Sequence, residues 1–480
     1  MEYHYVKAST DRIHEFSRRG TKYMPQLILF AREFRLVGSR CPFGDHGCQQ
    51  FSQADEAHRV GVEVGTQSPE SILWKSLCGD SRTYTIMVTK DFDVVIVGAG
   101  AIGCSTALEL APDHDVLVLE KGLLTNSASA NASAFISDWW LFLGRKHVPG
   151  ATDMLHEFFS DFDGTGEFEY HDHPYIELVA EEKTASQPDQ EVEALKESIE
   201  DIDGISFNTA TELEDRWPGA LDLTSYEGGF VDDRAGVIDP VHYLRAMKEQ
   251  AEEMGVEFRM QTEVTELVSD GNSVVGVETE HADEPIYADD VVVAAGVHTD
   301  DLVSEFADLP MGTFVIYGAT LQSNTVSAEA VPTVSNDQLM VGPDVRGNFT
   351  TGIEYWVDGP ESIPPNLPQE GLLSAAEHIP DLLNDFGDVL FLEDQTYKCP
   401  EGITVTPDQL PVIEELTDGL VVADGSRGAV ALSPVIAAAI TATITGGETP
   451  FSLDHFSMDR FDSDVSEVDI PFVEEAPQSF

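Results

Sequence analysis

Between residues 92 and 120 the apolar and polar positions fall into a sharp pattern. Phe92-Asp-Val-Val-Ile-Val97 is a short apolar run rich in β-branched residues, as expected of a strand buried on both faces of a parallel sheet. Ala101 to Ala111 predicts a helix closed by Pro112, and Asp115-Val-Leu-Val-Leu119 predicts a second buried strand ending at Glu120. Together they form a complete β-α-β unit.

Further along, the pattern is mixed. A strand is expected over Tyr175 to Val179 and a polar helix over Pro188 to Ile202. Pro240 to Met254 predicts an amphipathic helix opened by the cap signal Asp239-Pro240. Strands are expected at Val256 to Arg259, Val264 to Val268, Val274 to Thr279 and Asp290 to Ala294. Residues 310 to 360 alternate apolar and polar positions with aromatics interleaved, as an antiparallel sheet does. Gly419 to Ala423 reads as a strand, followed by a Gly-rich turn and a helix over Pro434 to Thr445. The acidic stretch after Gly447 is expected to wrap the surface. No run of ~18 uncharged apolar residues is present, so no membrane-spanning helix is expected.

The turn inside the β-α-β unit carries specific chemistry. In Gly98-Ala-Gly-Ala-Ile-Gly103, the first glycine turns the chain after the strand. Gly100 lets backbone N–H groups approach a pyrophosphate, and Gly103 lets the helix pack close to the strand. The pyrophosphate then meets the positive helix N-terminus. Glu120, ending the second strand, is placed to accept hydrogen bonds from ribose hydroxyls. Strand, turn, helix, strand and terminal acid in register mark a dinucleotide site. The unit alone does not separate FAD from NAD.

Charge changes the picture of where the folded body begins. The 480 residues carry 26 Lys+Arg and 87 Asp+Glu, a formal net charge of -61. Such self-repulsion opposes compaction in dilute salt but is screened in molar salt, where the Debye length is about 3 Å. The scattered carboxylates therefore read as adaptation to a salt-rich cytoplasm rather than as a binding surface for a basic partner. Residues 1 to 86 depart from this, with 11 basic and 10 acidic groups, and hold Cys41, Cys48 and Cys78 of the five cysteines. They show no clear periodicity. We expect them to lie poorly ordered outside the folded body, as upstream sequence ahead of a natural start at Met87. A small metal site through Cys41, His46 and Cys48 is the alternative, although the spacing fits no common zinc pattern. Cys104 and Cys399 remain in the main body, too few for a disulfide framework.

Four motifs in fixed order resemble the D-amino-acid oxidase superfamily of FAD-dependent oxidoreductases, from about Met87 to about Phe461. The first is Asp93 to Gly103 with Leu119-Glu-Lys-Gly122. The second is Ser129-Ala-Asn-Ala-Ser-Ala134. The third joins Gly236-Val-Ile-Asp-Pro240, Gly255-Val256, Val264 and Ala288 to Gly296. The fourth is Thr406-Pro-Asp-Gln-Leu-Pro411, Asp424-Gly-Ser-Arg-Gly428 and Ser433-Pro434 opening the last helix. The resemblance implies non-covalent FAD held across three segments. The first would supply Gly98, Gly100, Ala101, Ile102, Gly103, Glu120, Lys121, Ser129 and Asn131. Val264, by the adenine through its backbone, and Gly296 would come from the second. Gly425, Ser426, Arg427, Gly428 and Ala429 would face the flavin ring. The fold implied is mixed α/β. A Rossmann-like FAD/NAD(P)-binding domain (87–150, 229–309 and 399–446) would be interleaved with an antiparallel-sheet substrate domain (151–228 and 310–398), followed by the tail 447–480.

The chain also departs from the family pattern. Ala130 and Ala134 stand where the family has glycine. Gly425-Ser-Arg-Gly428 lacks the common Gly-His-Gly. It is similar instead to the oxidoreductase domain of the bifunctional enzyme that modifies the tRNA wobble uridine. Cys399 is two positions out of register with the cysteine that links flavin covalently in some members, and reads as a buried small residue.

In enzymes of this kind the C–H bond next to an amine delivers hydride to flavin N5 and the imine then hydrolyses, with no obligatory side-chain base. Arg427 is the leading functional side chain, because a guanidinium grips a carboxylate through a bidentate fork and cations are scarce here. Lys398 is the second candidate, as a positive charge near flavin or oxygen, and Tyr317, Tyr355 and Tyr397 are candidate pocket linings. The expected partner is a small amine or amino acid such as glycine, sarcosine or a D-amino acid. A secondary amine on modified tRNA, a 2-hydroxy acid, and a non-catalytic flavoprotein or NAD-binding module are the alternatives. Basic patches for RNA are missing, so nucleic acid is not expected. A cytoplasmic location is the default. Oligomeric state, the identity of the substrate and the electron acceptor are not readable from the residues.

Overall fold

The computed structural model describes residues 90–138, 150–180, 202–282, 284–336, 339–356, 369–392 and 402–461. It also describes the short pieces 60–63, 73–76, 81–83, 148, 196, 199 and 397–398. The chain divides into two units, Met1–Lys90 and Asp91–Phe480. In the first, Val60–Glu63, Leu73–Ser76 and Ser81–Thr83 form a small antiparallel sheet, in a stretch whose pattern predicts no element. Everything below concerns the second unit.

Its first sheet is built on the expected β-α-β unit. Phe92–Val97 runs parallel to Val116–Glu120 on one side and to Ile286–Val293 on the other. Glu257–Met260 extends the sheet past Val116–Glu120, and Leu420–Asp424 extends it past Ile286–Val293, both in parallel. Alternate residues serve opposite faces. Val94 and Ile96 pack under the helices Ala101–Leu110, Pro240–Glu253 and Ala429–Thr445, whereas Val95 and Val97 pack beneath Val264–Asp270, Ser273–Thr279 and the short helix Thr299–Val303. Double-sided burial is what makes these strands read as unbroken apolar runs. Pro240–Glu253 starts as expected, with the Asp239 carboxylate accepting from the N–H groups of Val241 and His242 at 2.9 and 3.1 Å.

The last helix corrects the expected start at Pro434: it opens at Ala429 and Pro434 lies inside it. The proline removes the N–H that would bond the Val430 carbonyl. Ser433 Oγ donates to that carbonyl instead, at 2.9 Å, and meets the buried Tyr243 hydroxyl at 2.9 Å. The helix ends at Gly446 in the left-handed conformation, φ +67°.

The second sheet has ten strands. Its main path runs Val389–Phe391, Gly312–Ser323, Phe349–Trp356, Met340–Pro343, Thr333–Ser335, Tyr175–Ala180, Tyr226–Asp232 and Ile205–Thr209. Pairing is antiparallel except between Thr333–Ser335 and Tyr175–Ala180. One face packs on Leu213 of helix Ala210–Arg216 and on Ile379, Leu382 and Leu383. That helix opens with a capping box, Thr209 with Glu212. Tyr397–Lys398 and Ile403–Val405 also pair with Gly312–Ser323. From Ile403–Val405 the chain passes through Thr406–Leu410 into Val412–Thr417, which pairs with Leu420–Asp424. The two sheets are thus joined through residues 403 to 424. The helix expected over Pro188 to Ile202 lies, for most of its length, outside the described residues.

Candidate functional site

Parallel register brings the glycine turns to one edge. Leu119 stands opposite Val97, Val97 opposite Val293, and Val293 opposite Val422. The residues that follow each strand therefore leave the sheet side by side: Glu120, the Gly98–Gly103 turn, the Gly296 turn and the Gly425–Gly428 turn. This is the carboxyl edge, where open parallel sheets bind ligands. Two helices start there, Ala101–Leu110 and Ala429–Thr445. Neither has an acidic residue in its first turn or a capping side chain of its own N-cap residue. Both positive helix ends stay available to an anion.

The first turn has no room for side chains. Gly98 has φ +105°, and a Cβ there would lie 2.3 Å from the Ala294 carbonyl oxygen. Gly103 is closer still, its Cβ falling 1.9 Å from the Gly98 oxygen. The Glu120 carboxylate is fixed by two backbone donors, Ala99 N–H to Oε2 at 2.9 Å and Gly122 N–H to Oε1 at 2.8 Å. Each oxygen keeps a lone pair for a hydroxyl. Ser129 Oγ accepts the Ala101 N–H at 3.0 Å, satisfying one of the orphan donors of the helix start. Ile102, like Ala101, is buried in the first turn of that helix. Asn131 spends its amide donors on its own turn, to the Ser127 oxygen at 2.9 Å. Lys121 Nζ lies 2.6 Å from His298 Nε2, joining the Glu120 strand end to the Gly296 turn. Gly296 itself has φ +60°. Val264 is buried, two residues after Thr262, whose N–H bonds the Glu120 carbonyl at 2.8 Å. Ala134, where the resemblance has glycine, adopts φ +50°, so alanine carries there a backbone conformation that suits glycine.

The third turn rests on motif residues together with two polar groups that the sequence does not single out, Thr404 and Arg460. Gly425 has φ +86°, and a Cβ would meet Thr406 Cγ2 at 2.7 Å and Met311 Sδ at 2.8 Å. Thr404 Oγ1 donates to Asp424 Oδ1 at 2.6 Å, and the Thr406 N–H bonds the Gly425 oxygen at 3.0 Å. Arg460 braces the Thr406–Leu410 turn by bonding both oxygens of Asp408, at 2.8 and 3.0 Å. Ser426 is buried and its Oγ has no hydrogen-bond partner. Arg427 and Gly428 are partly buried, and Ala429 begins the helix. An orphaned hydroxyl, two helix starts with no capping side chain on the N-cap residue and glycines pressed against backbone fit a dinucleotide with its pyrophosphate at the first helix.

Lys398 is placed by its backbone opposite Tyr317, on the Gly312–Ser323 strand that also pairs with Thr404. The side chains of Lys398, Tyr317, Tyr355 and Tyr397, and all of Cys399, lie outside the described residues. Burial pushes the Cys104 thiol up to about 12, so it is a packing residue. Among the described residues no group of three His, Cys, Asp or Glu is arranged to hold a metal ion, and no helix is long and apolar enough to cross a membrane.

Comparison with known proteins gives a consistent result. The family model described as FAD dependent oxidoreductase matches residues 93–443. Sarcosine oxidase subunit beta of an Arthrobacter species is 28% identical over 227 residues, 44% of this chain and 53% of that protein. The match thus spans about half of that relative's length. D-amino acid dehydrogenase of Cereibacter sphaeroides is 26% identical over 385 residues, 67% of this chain and 84% of that protein. Among solved structures, glycine oxidase from Geobacillus kaustophilus superposes with a TM-score of 0.65 at 19% identity, covering 78% of this chain and 100% of that one. At that identity the likeness is one of fold.

Proposed function

Because the chain belongs to the FAD-dependent oxidoreductase family, we propose that it oxidises a small amine or amino acid with FAD held non-covalently across the carboxyl edge of the parallel sheet. The observation that carries this reading is the convergence of three glycine turns and two helix N-termini on that edge, one turn carrying Arg427. The names of the similar proteins, acting on sarcosine, glycine and D-amino acids, point to the same substrate class. Bound there, FAD would supply the acceptor for the hydride equivalent lost from the C–H bond beside the substrate nitrogen. The protein supplies binding and electrostatics. The Ala101–Leu110 helix start and the backbone at Gly100 hold the pyrophosphate, and Glu120 holds the ribose. Gly425 to Ala429 would receive the flavin ring, where the dipole of the long Ala429–Thr445 helix favours negative charge. Thr404, on the Ile403–Val405 strand of the ten-stranded sheet, and Thr406 just after it hydrogen-bond Asp424 and Gly425 at this edge.

Arg427 grips the substrate carboxylate and orients the C–H bond; Lys398 adds positive potential. With 26 basic residues in the chain, most patches repel a carboxylate, so one guanidinium at the site dominates its recognition. Arg427→Ala is expected to raise KM for amino-acid substrates by about 100-fold, as loss of two charge-assisted hydrogen bonds requires. FAD content should be unchanged, and amines without a carboxylate should lose little. Steady-state kinetics in molar KCl decide; an unchanged KM removes Arg427 from substrate binding.

A further inference from the structure

After the last helix the chain folds back onto the Thr406–Leu410 turn. Phe451 and Phe456 are buried and meet edge to face, their ring centres 5.6 Å apart. The Phe456 carbonyl accepts the Ile413 N–H at 2.9 Å, and Ser457 Oγ and the Met458 N–H both donate to Glu414 Oε2 at 2.9 Å. This strap delivers Arg460 to the turn with its side chain only 5% exposed. Arg460 Nε and Nη2 donate to the two Asp408 oxygens, at 2.8 and 3.0 Å. Nη2 also donates to the Leu410 oxygen at 2.8 Å, and Nη1 to the Ser457 oxygen at 3.0 Å.

Between Asp408 and Leu410, both held by Arg460, stands Gln409, buried and in the left-handed region at φ +62°. A residue with a side chain stays in that conformation only where its surroundings impose it. The rigid fork of Arg460 does so from both sides at once. The same turn reaches the glycine turn beyond it. The Thr406 hydroxyl donates to the Leu410 oxygen at 2.6 Å, the Thr406 N–H bonds the Gly425 oxygen at 3.0 Å, and Thr406 Cγ2 fills the space beside Gly425. We propose that Arg460 is a positioning residue for the Gly425–Ala429 turn, acting through Asp408, the strained Gln409 and Thr406. Its consequence for the cofactor rests on the reading of this edge as the flavin site.

Amide hydrogen exchange of the apoprotein in molar KCl tests the linkage without any cofactor. In Arg460→Ala, peptides covering 403–410 and 420–428 are expected to exchange about tenfold faster or more, while the strand Phe92–Val97 keeps its wild-type rates. Acceleration confined to 451–461, or spread evenly over the whole unit, overturns the proposal, because Arg460 then serves only the strap or the fold. Arg460→Lys keeps the charge and loses the fork, so it should show the same pattern to a smaller degree, and it takes over the test where the alanine variant does not fold. Gln409→Gly supplies a readout that a merely structural role would not move. Glycine adopts φ +62° without strain, so Arg460→Ala should accelerate exchange at 420–428 less in that background than in wild type. Equal acceleration overturns the action through Gln409. Titration of the apoproteins with FAD, followed by flavin fluorescence, reads the consequence at the site: Arg460→Ala should bind about tenfold more weakly, and wild-type affinity overturns the positioning role. Wild-type apoprotein that takes up no FAD overturns the flavin reading itself, while the exchange rates still report on Arg460.

Discussion

Gly103→Ala is expected to abolish FAD retention and to cost about 3 kcal/mol of stability or more, beyond the usual penalty for overpacking. The added carbon would sit 1.9 Å from the Gly98 carbonyl oxygen and 3.4 Å from Ile96 Cγ2. Neither side can yield. The Gly98 N–H is tied to the Leu119 oxygen at 2.8 Å, and Gly98 is itself pressed against Ala294 in a left-handed conformation. Relief therefore requires the Ala101–Leu110 helix to leave the strand, which pulls its N-terminus from the pyrophosphate. A control separates crowding from backbone strain. Gly271 has φ +69° with nothing within 4 Å of an added Cβ, so Gly271→Ala should cost only about 1 kcal/mol. Thermal melts in molar KCl and the flavin content of the purified proteins check both. A Gly103→Ala protein as stable and as flavin-loaded as wild type contradicts the packing described.

The second large effect lies in the buried ion cluster where Phe135–Ile136 leaves the sheet. Asp138 and Asp232 are both fully buried. Asp232 accepts the Ser137 hydroxyl at 2.8 Å and the Asp138 N–H at 2.7 Å through Oδ2, and the Arg234 N–H at 3.0 Å through Oδ1. Asp138 Oδ2 takes the Arg234 guanidinium and, at 2.7 Å, His156 Nε2. The cluster ties helix Ala151–Phe162 to the end of strand Tyr226–Asp232. Arg234→Leu takes the guanidinium away from a pair of buried carboxylates and is expected to cost about 3–5 kcal/mol. Adding Asp138→Asn removes the excess charge and should recover part of that loss, a coupling readable in a double-mutant cycle by chemical denaturation. Equal or larger destabilisation of the double variant contradicts the charge argument.

How much of this was legible follows from where each determinant lies. The β-α-β unit stood out because strands buried on both faces leave uninterrupted apolar runs and the turn requires its glycines. The 210–216 helix was missed although Thr209-Ala-Thr-Glu212 carries a capping-box signal, because the strand before it, Ile205–Thr209, is short and only partly buried. Pro434 misled the reading of the last helix: a proline usually marks a helix start, and its tolerance here depends on Ser433 taking over the Val430 carbonyl. The Thr404–Asp424 bond, Thr406 against Gly425, and Arg460 on Asp408 join residues from different sheets or from the far end of the chain. No local period encodes them, and they appear only once the two sheets meet.

The most direct test of the central claim is the absorbance spectrum of the purified protein in molar KCl, before and after anaerobic addition of a panel of small amines and amino acids. The account predicts flavin bands, stoichiometric FAD released on denaturation, and bleaching by at least one compound of the panel. A folded protein that melts cooperatively yet neither carries FAD nor takes it up would contradict the assignment of the carboxyl edge as its site.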